Sequence, residues 1–145
     1  MSIRKAEESD FEIIDSLSNE LGYKIQTKDI VERRLKSILS SSVDNLFVYE
    51  NVGKIKGWIH FFIANRVASE SFVEIGGLVV DSSARREGIG KSLVEFVKQW
   101  AKNNNYEIRV RCNTQRKETH VFYESLSFMS KKSQYVFQND LKEFI

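Results

Sequence analysis

The chain has 145 residues, 41% of them hydrophobic and 29% charged, and its 22 Lys and Arg against 20 Asp and Glu leave a formal net charge of +2. This length predicts one domain that buries roughly 68–70% of the surface its unfolded form exposes, without disulfides or a structural metal. The weak charge argues against general attachment to nucleic acid or a membrane surface, the single cysteine rules out an internal disulfide and fits a reducing compartment, and no run approaches the apolar length of a membrane span.

The elements follow from periodicity. Residues 2–6 read as a short edge strand. Ser9 or Asp10 can cap a helix with Phe11, Ile14, Leu17 and Leu21 on one face, and Gly22 ends it. A second helix is expected from about Thr27, with Ile30, Val31, Leu35, Ile38 and Leu39 inward, before a polar break at Ser40, Ser41 and Ser42. Residues 46–50 form a strand and residues 51–53 the turn after it. Residues 56–64 form a longer strand, with Trp58, His60 and Phe62 on one face and Ile59, Phe61 and Ile63 on the other. Residues 72–80 are expected to be the central strand, buried on both faces towards its end. Within it, Gly76 and Gly77 signal a bulge or a close backbone approach. Ile89, Leu93, Phe96, Val97, Trp100 and Ala101 make the apolar stripe of a helix that ends near residues 103–105. A strand over 107–112, a helix over 116–126 and a final strand over 134–138 complete the chain. The order β-α-α-β-β-β-α-β-α-β describes an α+β fold, mixed α/β layers on one sheet. The charged N-terminus lacks an apolar signal core, so the cytoplasm is the expected location.

One segment carries chemistry. Residues 85–91 read Arg-Arg-Glu-Gly-Ile-Gly-Lys, between the apolar run 75–80 and the helix that starts near Ile89. N–H groups at a helix start lack partners and lie at the positive end of the macrodipole. Glycines admit a close ligand, and Arg85, Arg86 and Lys91 add full charges. The segment therefore suits a phosphate or pyrophosphate. A Walker loop needs glycine where Arg85 stands, and a dinucleotide fingerprint needs glycine where Leu93 stands.

The remaining pattern, Arg-x-x-Gly-x-Gly over residues 85–90, resembles the acetyl-CoA pyrophosphate loop of the GNAT superfamily of N-acetyltransferases. The resemblance covers nearly the whole chain. "IRKAEESDFEIIDSLSNELGY" looks like the family's first strand and helix, and "VEIGGLVVDSSARREGIGKSLVEF" looks like its cofactor-binding strand, loop and helix. "HVFYESLSF" looks like its late helix and strand, although Thr119 replaces the usual alanine and Ser127 the glycine before Phe128. The resemblance implies a mostly antiparallel central sheet with helices on both faces, forming a single N-acetyltransferase domain over residues 1–145.

It also implies acetyl-CoA as co-substrate. Leu78, Val79 and Val80 would present backbone groups to the pantetheine arm. Arg85, Arg86, Glu87, Gly88, Ile89, Gly90, Lys91 and Ser92 would form the pyrophosphate site, and Asn113 would contact the cofactor. Tyr123 matches the family's tyrosine and would protonate the departing thiolate. Glu74, on the cofactor-bearing strand, is the candidate base. An amine with an ordinary value near 10.4 costs about 4–5 kcal/mol to neutralise at pH 7. A carboxylate can take that proton only when partly buried or through water.

The expected reaction is direct acetyl transfer to a primary amine on a small molecule, such as an aminoglycoside, a polyamine or an amino-acid derivative. Neither nucleic acid nor membrane is an expected partner. Homodimers are common among similar proteins. The alternatives are acetylation of a protein N-terminus or lysine, a catalytically silent acyl-CoA-binding module and, more weakly, an RNA-binding domain. Asp10, Glu12, Asp15 and Glu20 could draw a cationic acceptor, though a solvated helix face explains them as well. Cys112 reads as a buried thiol, His60 as a packed strand residue rather than one that faces the acceptor cleft, and Arg109, Arg111, Arg116 and Lys117 as solvated charges or a contact for the CoA 3′-phosphate.

Overall fold

The computed structural model describes residues 1–21 and 26–141. The chain forms two compact units, Met1–Arg111 and Cys112–Ile145. The first unit holds five strands in the order β1-β2-β3-β4-β5. They are β1 (Ser2–Lys5), β2 (Asp44–Asn51), β3 (Lys54–Ala64), β4 (Phe72–Val80) and β5 (Ile108–Val110). The first four are antiparallel, and β5 joins β4 in parallel. Helices α1 (Phe11–Ser18), α2 (Lys28–Ser40) and α3 (Ile89–Asn103) belong to the same unit. The second unit carries α4 (Lys117–Ser125).

Alternation along β3 assigns its side chains to two layers, as the pattern predicts. Ile59 and Phe61 are fully buried. Phe61 meets Trp100 of α3 at 5.1 Å between ring centroids, and Phe47 of β2 meets Phe96 at 4.6 Å. The α3 stripe is sound, because Leu93, Val94 and Val97 are also fully buried. On the other face, Leu46, Val48, Trp58 and Val79 pack with Ile14, Leu17 and Leu35 of α1 and α2. Each fully buried aliphatic or aromatic side chain contributes about 1.5–3 kcal/mol. The result is a mostly antiparallel sheet with helices on both faces. The β2–β3 connection is a tight turn with both Val52 and Gly53 at positive φ.

Four expectations are corrected. The middle of the sheet is β3, not β4, because β5 is the outermost strand beside β4. Leu21 lies beyond α1 and is exposed, as is Ile30 of α2; the Gly22 stop falls outside the described residues. Asp10 precedes α1 but makes no side-chain cap bond to it. The strand expected over 134–138 does not form: residues 128–140 carry neither helix nor strand, and Tyr135, Val136 and Phe137 are exposed. An apolar run becomes a strand only when a neighbour completes its ladder, and no described strand pairs with this one.

Candidate active site

The site begins with an interrupted strand pairing. Strand β4 pairs with β3 along its whole length, but with β5 only at Val73, Glu74 and Ile75. From Gly76 to Val80, its outer edge has no strand partner among the described residues. The Asp81 N–H donates to the Lys56 carbonyl at 2.8 Å. Alternation then commits the amide groups of Val79 to β3 and turns those of Leu78 and Val80 to the open edge. Of the three residues expected to meet an extended amide chain, two therefore offer their backbone. Gly76 is the extra residue of a bulge: His60 pairs with Gly77 and Phe61 with Ile75.

Beyond β4, the Asp81 carboxylate accepts from Ser83 N–H at 2.9 Å and Ser83 Oγ at 2.8 Å, bracing a single 3-10 turn. Those bonds lower its titration below 3.8. The loop then passes through Arg86 at φ 69° and Gly88 at φ 79°, the residue before α3. A left-handed residue there favours glycine. A Cβ on Gly88 would meet nothing within 4 Å, so the space above the loop is open. The Ser92 N–H is the first to be taken up within the helix, donating to the Gly88 carbonyl at 3.0 Å. The N–H groups of Ile89, Gly90 and Lys91 consequently have no helical acceptor. Arg85, Arg86, Glu87 and Lys91 are exposed around them. The Ile89 side chain is buried, which leaves only its backbone for a ligand. Glu87 and Ile89 also flank a concavity of about 280 Å³ shared with Lys56 and Ser83.

The face of the sheet that packs on α1 and α2 ends in a polar strip whose ion pairs sequence reasoning passed over. His60 Nε2 lies 2.8 Å from Asp44 Oδ1, and Arg111 Nε forms an ion pair with Glu74 Oε1 at 3.2 Å. Asp44 stands opposite Phe62, and Phe62 opposite Glu74, so the two pairs share a face. Arg109 lies over the Phe72 ring at 4.0 Å. Arg109 and Arg111 make these contacts while remaining exposed, as the reading of solvated charges expects. The Trp58 indole N–H is buried without an acceptor among the described residues. Asp10 is not available to a cationic acceptor. It is buried, accepts from both terminal nitrogens of Arg4 at 2.9 Å and from Glu7 N–H at 2.8 Å, and its titration is lowered from 3.8 chiefly by the hydrogen bonds from Arg4. His60 and Asp44 are 16 positions apart and Arg4 and Glu50 are 46 apart, and strand register brings each of these pairs together.

In the second unit, Tyr123 of α4 is buried, with Phe122 and Phe128 edge-on at 5.0 and 5.3 Å. Burial pushes its phenol well above the ordinary 10, so it holds its proton at any physiological pH. Cys112 is half-buried and its thiol is likewise raised by burial, which suits a passive thiol. Asn113 accepts Gln115 N–H on its side-chain oxygen at 2.8 Å, and its carbonyl accepts from Arg116 N–H at 3.0 Å. Its side-chain oxygen thus serves the turn that leads into α4. The α4 end explains Ser127. It adopts φ 71°, while Ser127 N–H reaches the Glu124 carbonyl and Phe128 N–H the Tyr123 carbonyl. This is a Schellman ending with serine where glycine is usual.

The acetyltransferase (GNAT) family model matches residues 9–128. The chain belongs to the GNAT acetyltransferase family. No curated protein sequence matches it. Solved structures do. A transcriptional regulator from Bacillus halodurans is 23% identical with a TM-score of 0.84, over 95% of this chain and 99% of that one. An aminoglycoside 6′-N-acetyltransferase from Acinetobacter haemolyticus is 16% identical with a TM-score of 0.79, over 97% and 99%. Aminoglycoside N-acetyltransferase AAC(6′)-Iy, solved with CoA, is 20% identical with a TM-score of 0.84, over 95% and 93%. At these identities the neighbours establish the GNAT fold. No described helix is long and apolar enough to cross a membrane.

Proposed function

We propose that this chain is an acetyl-CoA-dependent N-acetyltransferase whose two units act as one domain on a primary amine of a small molecule. The carrying observation is the open β4 edge running into a left-handed glycine and the unpartnered N–H groups of α3. An extended chain of amides can hydrogen-bond to Leu78 and Val80, and a pyrophosphate can then rest on the N–H groups of residues 89–91. Arg86 and Lys91 supply charge, with Arg85 and Ser92 beside them. The aminoglycoside acetyltransferases among the structural relatives make an aminoglycoside the first acceptor to test.

Transfer is direct. The amine nitrogen attacks the thioester carbon, the C–N bond forms, and the C–S bond breaks as the thiolate leaves. Tyr123, kept protonated by burial, passes its proton to that thiolate and is reprotonated by the second proton that the nitrogen sheds. Glu74, held by Arg111 and only 13% exposed, draws the acceptor ammonium and assists its deprotonation. The test is calorimetric titration with coenzyme A beside thiol release from acetyl-CoA with kanamycin, spermidine and lysine methyl ester. Binding together with amine-dependent thiol release is expected. Absence of coenzyme A binding rejects the reading, and binding without turnover on any amine points to a silent acyl-CoA module.

A further inference from the structure

We propose that His60, oriented by Asp44, is the group that takes the proton from the acceptor ammonium. The proposal rests on the acetyltransferase reading and deepens it. A carboxylate can only accept, so the 2.8 Å contact of His60 Nε2 with Asp44 Oδ1 places the ring proton on Nε2. The neutral imidazole then presents Nδ1 as its acceptor. Among the described residues, Nδ1 has no hydrogen-bond partner.

Its surroundings are open where a ligand would approach. A Cβ on Gly76 would fall 2.9 Å from Nδ1 and 3.2 Å from a ring carbon of Phe62. The missing side chain therefore clears a notch in front of the ring. Gly76 is itself exposed, at the bulge where the outer edge of β4 loses its partner. The His60 and Asp44 side chains are 21% and 26% exposed, enough for a proton to leave to solvent. Other ionisable groups on this face are Glu74 and Arg111, joined to each other, and Arg4, joined to Asp10 and Glu50. The residues that α1 and α2 bury against the sheet, Ile14, Leu17 and Leu35, are apolar. Imidazole ordinarily titrates near 6.5, so it accepts a proton at neutral pH more readily than a carboxylate does.

The protons balance. The ammonium gives one proton to Nδ1, and the neutral nitrogen attacks the thioester. The amide nitrogen sheds a second proton as the tetrahedral carbon collapses. One proton ends on the sulfur and one leaves through His60 to water. Asp44 balances the imidazolium charge, and Glu74 draws the acceptor ammonium as its counter-charge while His60 replaces it as the proton acceptor.

The experiment compares wild type, His60→Gln, Asp44→Asn and Gly76→Ala. It follows thiol release with acetyl-CoA and whichever of kanamycin, spermidine or lysine methyl ester wild type accepts, from pH 5.5 to 9, alongside coenzyme A calorimetry. His60→Gln is expected to lower kcat about 100-fold and Asp44→Asn about tenfold, with coenzyme A affinity within about twofold of wild type. The pH profile of His60→Gln should lose the inflection that His60 contributes and keep only the rise due to the acceptor's own titration, which is common to all variants. Imidazole in the buffer should restore part of the rate to His60→Ala. Gly76→Ala, which keeps the pair but fills the notch, should lower turnover too. Wild-type rate and pH profile in His60→Gln would overturn this proposal alone. A wild type that neither binds coenzyme A nor releases thiol overturns the functional reading and this proposal with it.

Discussion

The two units carry their candidate chemistry in different currencies. In the first, the groups offered to a ligand are mostly backbone: the amides of Leu78 and Val80 on an open strand edge, and the N–H groups at the start of α3. In the second, it is one side chain, the buried phenol of Tyr123. A backbone site survives substitution of its own residues as long as the fold holds it in place. A side-chain site is lost with one atom, whatever the fold does. Cofactor binding by the first unit should therefore fail through packing, whereas proton donation by Tyr123 should fail with the loss of one oxygen.

Phe61→Ala tests the first half of that contrast. Phe61 is fully buried against Trp100, so its loss is expected to cost about 3–5 kcal/mol in denaturant unfolding. Coenzyme A binding should fall only with the folded fraction. Next comes Asp10→Asn, which breaks a pair in which Arg4 remains one-third exposed; about 2–3 kcal/mol is expected. Arg4 lowers the Asp10 titration from 3.8, so the pair stabilises the fold fully above about pH 4. Its contribution is lost as pH falls further, and the gap between wild type and variant should close there. A gap that persists to pH 2 would separate the effect from the carboxylate's charge.

Tyr123→Phe addresses the other unit. Turnover is expected to drop about 10- to 100-fold with coenzyme A affinity unchanged. Its phenol is raised above 10, so above that pH the unfolded chain releases a proton that the folded chain keeps. Stability should decline there, and the decline should shrink in the variant. Lys91→Ala should weaken coenzyme A only about two- to fivefold, because the amides of residues 89–91 remain. A hundredfold loss would show that the side chain, not the backbone, holds the phosphate. Ser127→Gly should stabilise by about 0.5–1 kcal/mol, since Ser127 holds a left-handed conformation at φ 71°.

The elements that were legible in sequence are those whose pattern is local. The β4 bounds, 72–80, match the expectation, as do the two faces of β3 and the α3 stripe, because periods of 2.0 and 3.6 residues are written in consecutive positions. The strand expected over 134–138 failed for the converse reason. Its composition suits a strand, but a strand is completed by its neighbour's hydrogen bonds, which composition does not encode. Asp10 looked like a surface carboxylate near a helix start, but the fold buries it against Arg4, which register also brings to Glu50.

The same division holds for the site. The sequence by itself determined the glycine-bearing loop before α3, the family resemblance and the identity of Tyr123, because each is a matter of which residues stand next to one another. Only the tertiary structure decided that β5 leaves β4 after Ile75, that Leu78 and Val80 face the gap while Val79 does not, and that Asp44 meets His60 across sixteen positions of chain. Those facts depend on strand register and hydrogen-bond direction. Both are set by how distant segments pack and pair, and no local run of side chains specifies them.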